Sequence, residues 1–201
     1  MSALTMLSCT FRASSIICDA TLSIRGHNDR STLPHRHVYL PKTANRRSKA
    51  EASGRDRTSP ANLRAAVKGL SAQQLDTPYR PGGWTVREVT HHVPDSHLNA
   101  YIRTKLALTE DEPTIKPYAE DRWAQLADTQ TTPVEVSLTL LDSLHTRWVR
   151  LLRALKPEDW KRTFRHPERG VMDLEETLAL YGWHCRHHVA HIMSLRQRNG
   201  W

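Results

Sequence analysis

The sequence predicts an all-α fold, a bundle of four helices, and three observations carry that prediction. Apolar residues recur at three- and four-residue spacing through long stretches instead of alternating. Helix-start signatures precede those stretches, at Thr85 with Glu88 and at Asp173 with Glu176. Loops marked by proline and glycine separate them, and no series of short alternating segments offers a strand-rich fold of comparable strength.

The bundle is expected to begin late. Residues 1–58 show neither periodicity and are rich in Ser, Thr, Arg and Asn, so they read as a basic, disordered extension or a mis-assigned start. Residues 59–201 read as the folded bundle. The division also disposes of the net charge of +8. Residues 1–58 hold ten Lys/Arg against four Asp/Glu, whereas the other 143 residues hold nineteen against seventeen. The folded part is nearly balanced, so specific nucleic-acid binding is not expected. No run approaches 18 uninterrupted apolar residues, which excludes a helical membrane span. Three cysteines, Cys9, Cys18 and Cys185, form no disulfide framework, and a reducing cytoplasm is the expected home.

Within the bundle, "ANLRAAVKGLSAQQL" predicts a first helix with Leu63, Val67 and Leu70 on one face. "DTPYRPGGW" is a loop. A second helix follows from Thr85, with Glu88 completing a capping box, and runs to about Leu108. Pro94 removes a donor inside it, so a kink is expected beside His92. A polar connection with a short helix near "AEDRWAQLA" leads to a third helix. Thr132 is read as its cap, Pro133 as its first turn and Glu135 as its box residue. Its stripe is Val134, Leu138, Leu141, Leu144, Trp148, Leu151 and Leu155. "KPEDWKRTFRHPERGV" is a long link, partly extended, before the last helix runs from Asp173 to about Arg198.

That last helix carries "WHCRHHVAHI", with four histidines in eight positions. Leu174, Leu178, Tyr181, Ile192 and Leu195 define its inner side; His188 falls inside this stripe and His184 at its edge. His191 lies further round, and His187 points mostly to solvent. On the second helix Val86, Val89, Val93 and Ala100 face inward, which puts His92 beside the core and His91 almost opposite. An i, i+4 pair places two imidazoles close enough to share one ion. A third histidine from another helix would leave a position for water, the pattern of catalytic zinc. The competing reading is that His92, His184 and His188 are satisfied core histidines without metal. His97 faces either the same cavity or, the favoured reading, the helix surface; His145 is read as surface or hydrogen-bonding, Cys185 as a small apolar group, and Trp84, Trp148 and Trp183 as core with pocket lining as the alternative.

Two longer stretches go further. "LDTPYRPGGWTVREVTHHVPDSHLNAYIRTKLALTEDEPTIKPY" and "YGWHCRHHVAHIMSLRQRNGW" closely resemble the YfiT-like branch of the DinB superfamily, metal-dependent hydrolases. The resemblance covers roughly residues 60–201 and fades upstream of Pro60, leaving little more than half of the usual first helix. It implies a DinB-like antiparallel four-helix bundle, commonly a homodimer, with zinc or nickel held by three histidines. These fall on His92, His184 and His188, the residues the helical faces also bring inward. One ion per subunit, with open water positions, implies hydrolysis of a small-molecule substrate. Two other functions fit such a site: transfer of a low-molecular-weight thiol cofactor, and metal binding by a bundle that catalyses nothing. No general base stands out; Asp95, one turn after His92, and Glu88, one turn before it, are weak candidates.

Overall fold

The first helix ends sooner than the periodicity of 61–75 suggests. The computed structural model describes residues 59–201; the reading of residues 1–58 lies outside the described residues. Within the described residues helix α1 covers 59–67 and gives way at Gly69, whose φ of +79° is a left-handed conformation open to a residue without Cβ. Ser71 and Gln74 then cap each other at the start of a separate short helix, α2 (Ala72–Leu75). The expected single helix is thus two. Leu63, Val67 and Leu75 still reach the core, and Leu70 packs partly against it.

Helix α3 (Val86–Thr109) begins on the capping box read from its sequence. The Thr85 hydroxyl accepts from the Glu88 N–H, and the Glu88 carboxylate accepts from the Thr85 N–H at 2.7 Å. The crossover that follows holds α4 (Glu120–Ala124) and α5 (Ala127–Thr131) before α6 (Val134–Ala154). Here the capping prediction is corrected. Pro133, not Thr132, flanks α6 and no side chain caps it; Thr132 instead closes α5. Glu135 pairs outward with Arg64 of α1, which also binds Asp142 at 2.7 Å. The stripe of α6 holds at Leu138, Leu141, Leu144 and Trp148, but Leu152 takes the buried position expected of Leu155.

After a single 3₁₀ turn (Asp159–Lys161), the link forms an antiparallel hairpin, β1 (Thr163–His166) and β2 (Gly170–Asp173), with Thr163 opposite Asp173. Phe164 enters the core from β1. Arg165 donates its N–H to the Pro113 carbonyl at 2.9 Å and accepts from the Ile115 N–H at 3.0 Å, which pins the crossover to the hairpin. Helix α7 (Leu174–Asn199) starts on the Asp173–Glu176 box as expected. Among the described residues, no helix is long and apolar enough to cross a membrane.

The paired residues give the helix directions. His91 meets Ser137 and His97 meets His145, so α3 and α6 run the same way. His92 meets His184 and His188 while His97 lies beside Tyr181, so α7 runs against α3. The Ser59 carbonyl meets Cys185 and the Ala66 carbonyl meets Arg196, so α1 follows α7. The result is two helices up and two down, with the parallel pair α3–α6 joined by the long crossover. Two apolar clusters fill the bundle, one around Val86, Val89, Leu141 and Ile192, the other around Trp148, Phe164 and Leu178. A seam of histidines lies between them.

Candidate metal centre

Helix α3 brings His92 to the face of α7 where the i, i+4 pair His184 and His188 projects. The Nε2 atoms of His92 and His184 stand 3.2 Å apart, as do those of His188 and His184. Among the described residues these three form a group whose donor atoms lie within 4.8 Å of one another. His92 is 6% exposed, and the other two are half-buried. Trp84 packs edge-on against the His92 ring at 4.6 Å.

Burial lowers the His92 imidazole to about 4. It pushes His184 and His188 well down too, with neighbouring histidines adding to the effect. All three rings are therefore neutral at neutral pH, the form that ligates a metal. Neutral rings bring three Nε2 atoms to one point, where a single in-plane lone pair on His184 serves only one N–H donor well. A cation satisfies all three lone pairs together. Two zinc–nitrogen bonds of the usual length at a tetrahedral angle place their nitrogens about 3.3 Å apart, close to the spacing present here. The donor set fits such an ion.

Several histidines differ from the sequence reading. His91, expected at the surface, is 5% exposed. Its Nε2 faces the Thr132 carbonyl at 3.2 Å and therefore carries the proton; its Nδ1 then accepts from the Ser137 hydroxyl at 2.7 Å. It ties α3 to the start of α6. His97, for which the surface is the favoured of two sequence readings, has no exposure, and its Nδ1 lies 2.9 Å from Nε2 of the buried His145. The Nε2 of His97 is 3.4 Å from Nδ1 of His184. These errors share one cause. Helix α3 packs against α4, α5, α6 and α7, so it has no single inward face. Its buried polar residues are retained because they find partners: the Thr90 and Thr104 hydroxyls bond to carbonyls one turn back.

On the outer side of α7, Nε2 of His187 and of His191 approach to 2.9 Å, with Trp183 stacked on the first ring and Tyr79 on the second. Trp183 and Trp84 are partly buried; Trp148 is core, as expected. Cys185 packs in the apolar cluster beside α1. Of the two carboxylate candidates, Glu88 is occupied. One oxygen closes the capping box, and the other accepts from Gln125 at 3.1 Å and Gln130 at 3.3 Å. Asp95 is half-buried, and desolvation with the nearby Asp128 charge pushes its carboxyl up to about 6.

Known proteins share both the sequence and the fold. A protein of Bacillus mycoides, provisionally named a metal-dependent hydrolase, is 60% identical over 142 residues, 71% of this chain and 82% of its own length. A Bacillus cereus protein of the same provisional name is 61% identical over the same shares. Among solved structures, YfiT from Bacillus subtilis, described as a probable metal-dependent hydrolase with an unusual four-helix bundle topology, is 47% identical. It superposes with a TM-score of 0.79 over 81% of this chain and 94% of its own. The mycothiol-dependent maleylpyruvate isomerase shares the fold alone: 15% identity and a TM-score of 0.59 over 72% of this chain and 60% of its own. The family model described as the DinB superfamily matches residues 55–192. With this match, and relatives of such identity over most of its length, the chain belongs to the DinB superfamily, in its YfiT-like branch.

Proposed function

We propose that this protein is a metal-dependent hydrolase of a small-molecule substrate, with one zinc or nickel ion per chain held by Nε2 of His92, His184 and His188. The observation that carries the reading is the convergence of three neutral imidazole nitrogens from two helices at ligand spacing. When bound, such an ion supplies Lewis acidity and lowers the pKa of water. The chain's own residues do the rest. Three protein ligands leave room in the shell for water and substrate. Burial keeps the ligand rings neutral, and Trp84 holds the His92 ring in place. Asp95, one turn after His92, is the remaining carboxylate candidate for a proton carrier, with its carboxyl raised to about 6 by burial and the Asp128 charge. Glu88, already bonded on both oxygens, holds α3. A homodimer belongs to the same reading, and exposed apolar pairs one turn apart, Leu98 with Ile102 and Val136 with Leu140, offer surfaces for it.

Metal analysis of purified wild type against a His184→Ala/His188→Ala variant tests the centre. One ion per chain is expected in the first and none in the second; equal content sinks the reading. A His187→Ala/His191→Ala control should keep its ion. Activity is tested by screening ester and amide substrates with and without low-molecular-weight thiols. Metal-dependent turnover without thiol supports hydrolysis. Turnover only with thiol consumption replaces it by thiol transfer, and metal binding without turnover in either arm leaves a metal-binding bundle.

A further inference from the structure

Of the three histidines at the proposed centre, His184 has a ring behind it. Its Nδ1 faces Nε2 of His97 at 3.4 Å, and Nδ1 of His97 faces Nε2 of His145 at 2.9 Å. His188 differs, since its buried Nδ1 has no hydrogen-bond partner among the described residues. The three rings of this row come from three helices: His184 from α7, His97 from α3 and His145 from α6. Trp148 and Tyr181 stand edge-on around His97, at 6.1 and 5.2 Å between ring centres, and restrict its rotation. His97 and His145 are 0% and 3% exposed, so solvent does not set their protons.

We propose that His97 and His145 are positioning residues that hold His184 in the tautomer with its proton on Nδ1, leaving the Nε2 lone pair for the metal. The polarity of the row follows from its inner end. A ring that ligates through Nε2 carries its proton on Nδ1. That N–H donates to His97, which must accept at Nε2 and so carry its own proton on Nδ1. The second N–H donates to Nε2 of His145. Every ring stays neutral, and no charge is moved into the bundle. The reverse polarity would put a proton on Nε2 of His184 and close the site to an ion. Outer hydrogen bonds to ligating histidines fix their orientation and raise their basicity, and losing one costs about 10- to 100-fold in metal affinity. The row also lets α6, which supplies none of the three ligands, act on the centre.

This inference rests on the metal-centre reading, and the test separates the two. Zinc affinity of the full chain is measured by competition with a chelator, for wild type, His97→Leu and His97→Gln. Leucine fills the space without an acceptor; the glutamine amide can accept at one atom and donate at the other. Zinc binding weakened about 10- to 100-fold in H97L, with most of the loss restored in H97Q, is the expected result. A packing role alone would instead lower the thermal stability of both metal-free variants and leave zinc affinity unchanged, which overturns the proposal. Nitrogen-15 NMR of the zinc-loaded wild type needs no variant: protons on Nδ1 of His184 and of His97 are expected. A proton on Nε2 of His97 overturns the row while the metal centre stands. A wild type that binds no zinc overturns both.

Discussion

His91 and His92 are neighbours in the chain, are both buried, and do different work. His92 turns its Nε2 to the α7 pair, while His91 uses both ring nitrogens to join α3 to Thr132 and Ser137. Replacing His91 by alanine leaves the buried Ser137 hydroxyl and the partly buried Thr132 carbonyl short of a partner, so a loss of about 1–3 kcal/mol of stability is expected with metal content unchanged. Chemical denaturation beside metal analysis checks both halves; a variant that keeps its stability but loses its ion would reverse the assignment. Asp95 makes a prediction in pH. Its folded carboxyl, near 6, lies above that of an unfolded aspartate. Between about pH 4 and 6 the unfolded chain sheds a proton that the folded chain keeps, so stability falls as pH rises through that window and is level above it. After discounting for the exposure of this half-buried group, the penalty is about 1 kcal/mol. Asp95→Asn removes it. Urea titrations at pH 4.5 and pH 7 should show the variant gaining about 1 kcal/mol over wild type at the higher pH and a minor part of that at the lower; an equal difference at both would sink the argument.

At the scale of elements, the helix that looks amphipathic in sequence is the most enclosed one. Helix α3 buries Glu88, Thr90, His91, His92, Ser96, His97, Arg103 and Thr104 alongside its valines. Polar residues on such a helix are affordable only where each meets a partner from a neighbouring element. Glu88 shows how one side chain serves two elements, capping α3 and receiving Gln125 and Gln130 from the crossover. Glu88→Ala should therefore cost about 1–3 kcal/mol, more than a surface cap alone. It should also make residues 110–133 cleavable by protease before the rest of the bundle opens. Cleavage no faster than in wild type would show that the crossover is held without it.

For the whole molecule, the seam of histidines lies where α3, α6 and α7 meet, so an ion there joins helices that are far apart in sequence. An ion bound only by the folded state at a thousandfold excess over its Kd adds about 4 kcal/mol. Chelation should lower the melting temperature by roughly 10 °C, and zinc should restore it. His92→Ala should melt at one temperature with or without zinc; an unchanged melting point for wild type on chelation would remove the ion from the account of stability.

Helix starts at Thr85 and Asp173, the inner stripe of α7, most of that of α6, and the side-by-side pair His184 and His188 were legible in the sequence because each depends on residues within a turn or two. The end of α1 before Gly69, the flanking residue of α6 and the strand pairing inside the partly extended link were not. Gly69, Pro133 and Arg165 act there through backbone geometry or through distant partners. The convergence of His92 with His184 and His188 followed from helical faces joined to a family resemblance. The row through His97 and His145 did not, because a helical wheel assumes one inward face and α3 has neighbours on several sides. Local sequence determined which segments are helical and which apolar stripes must be covered. Only the packing of one helix among several others decided which histidines lie inside, because burial of a polar ring depends on a partner that another segment brings to it.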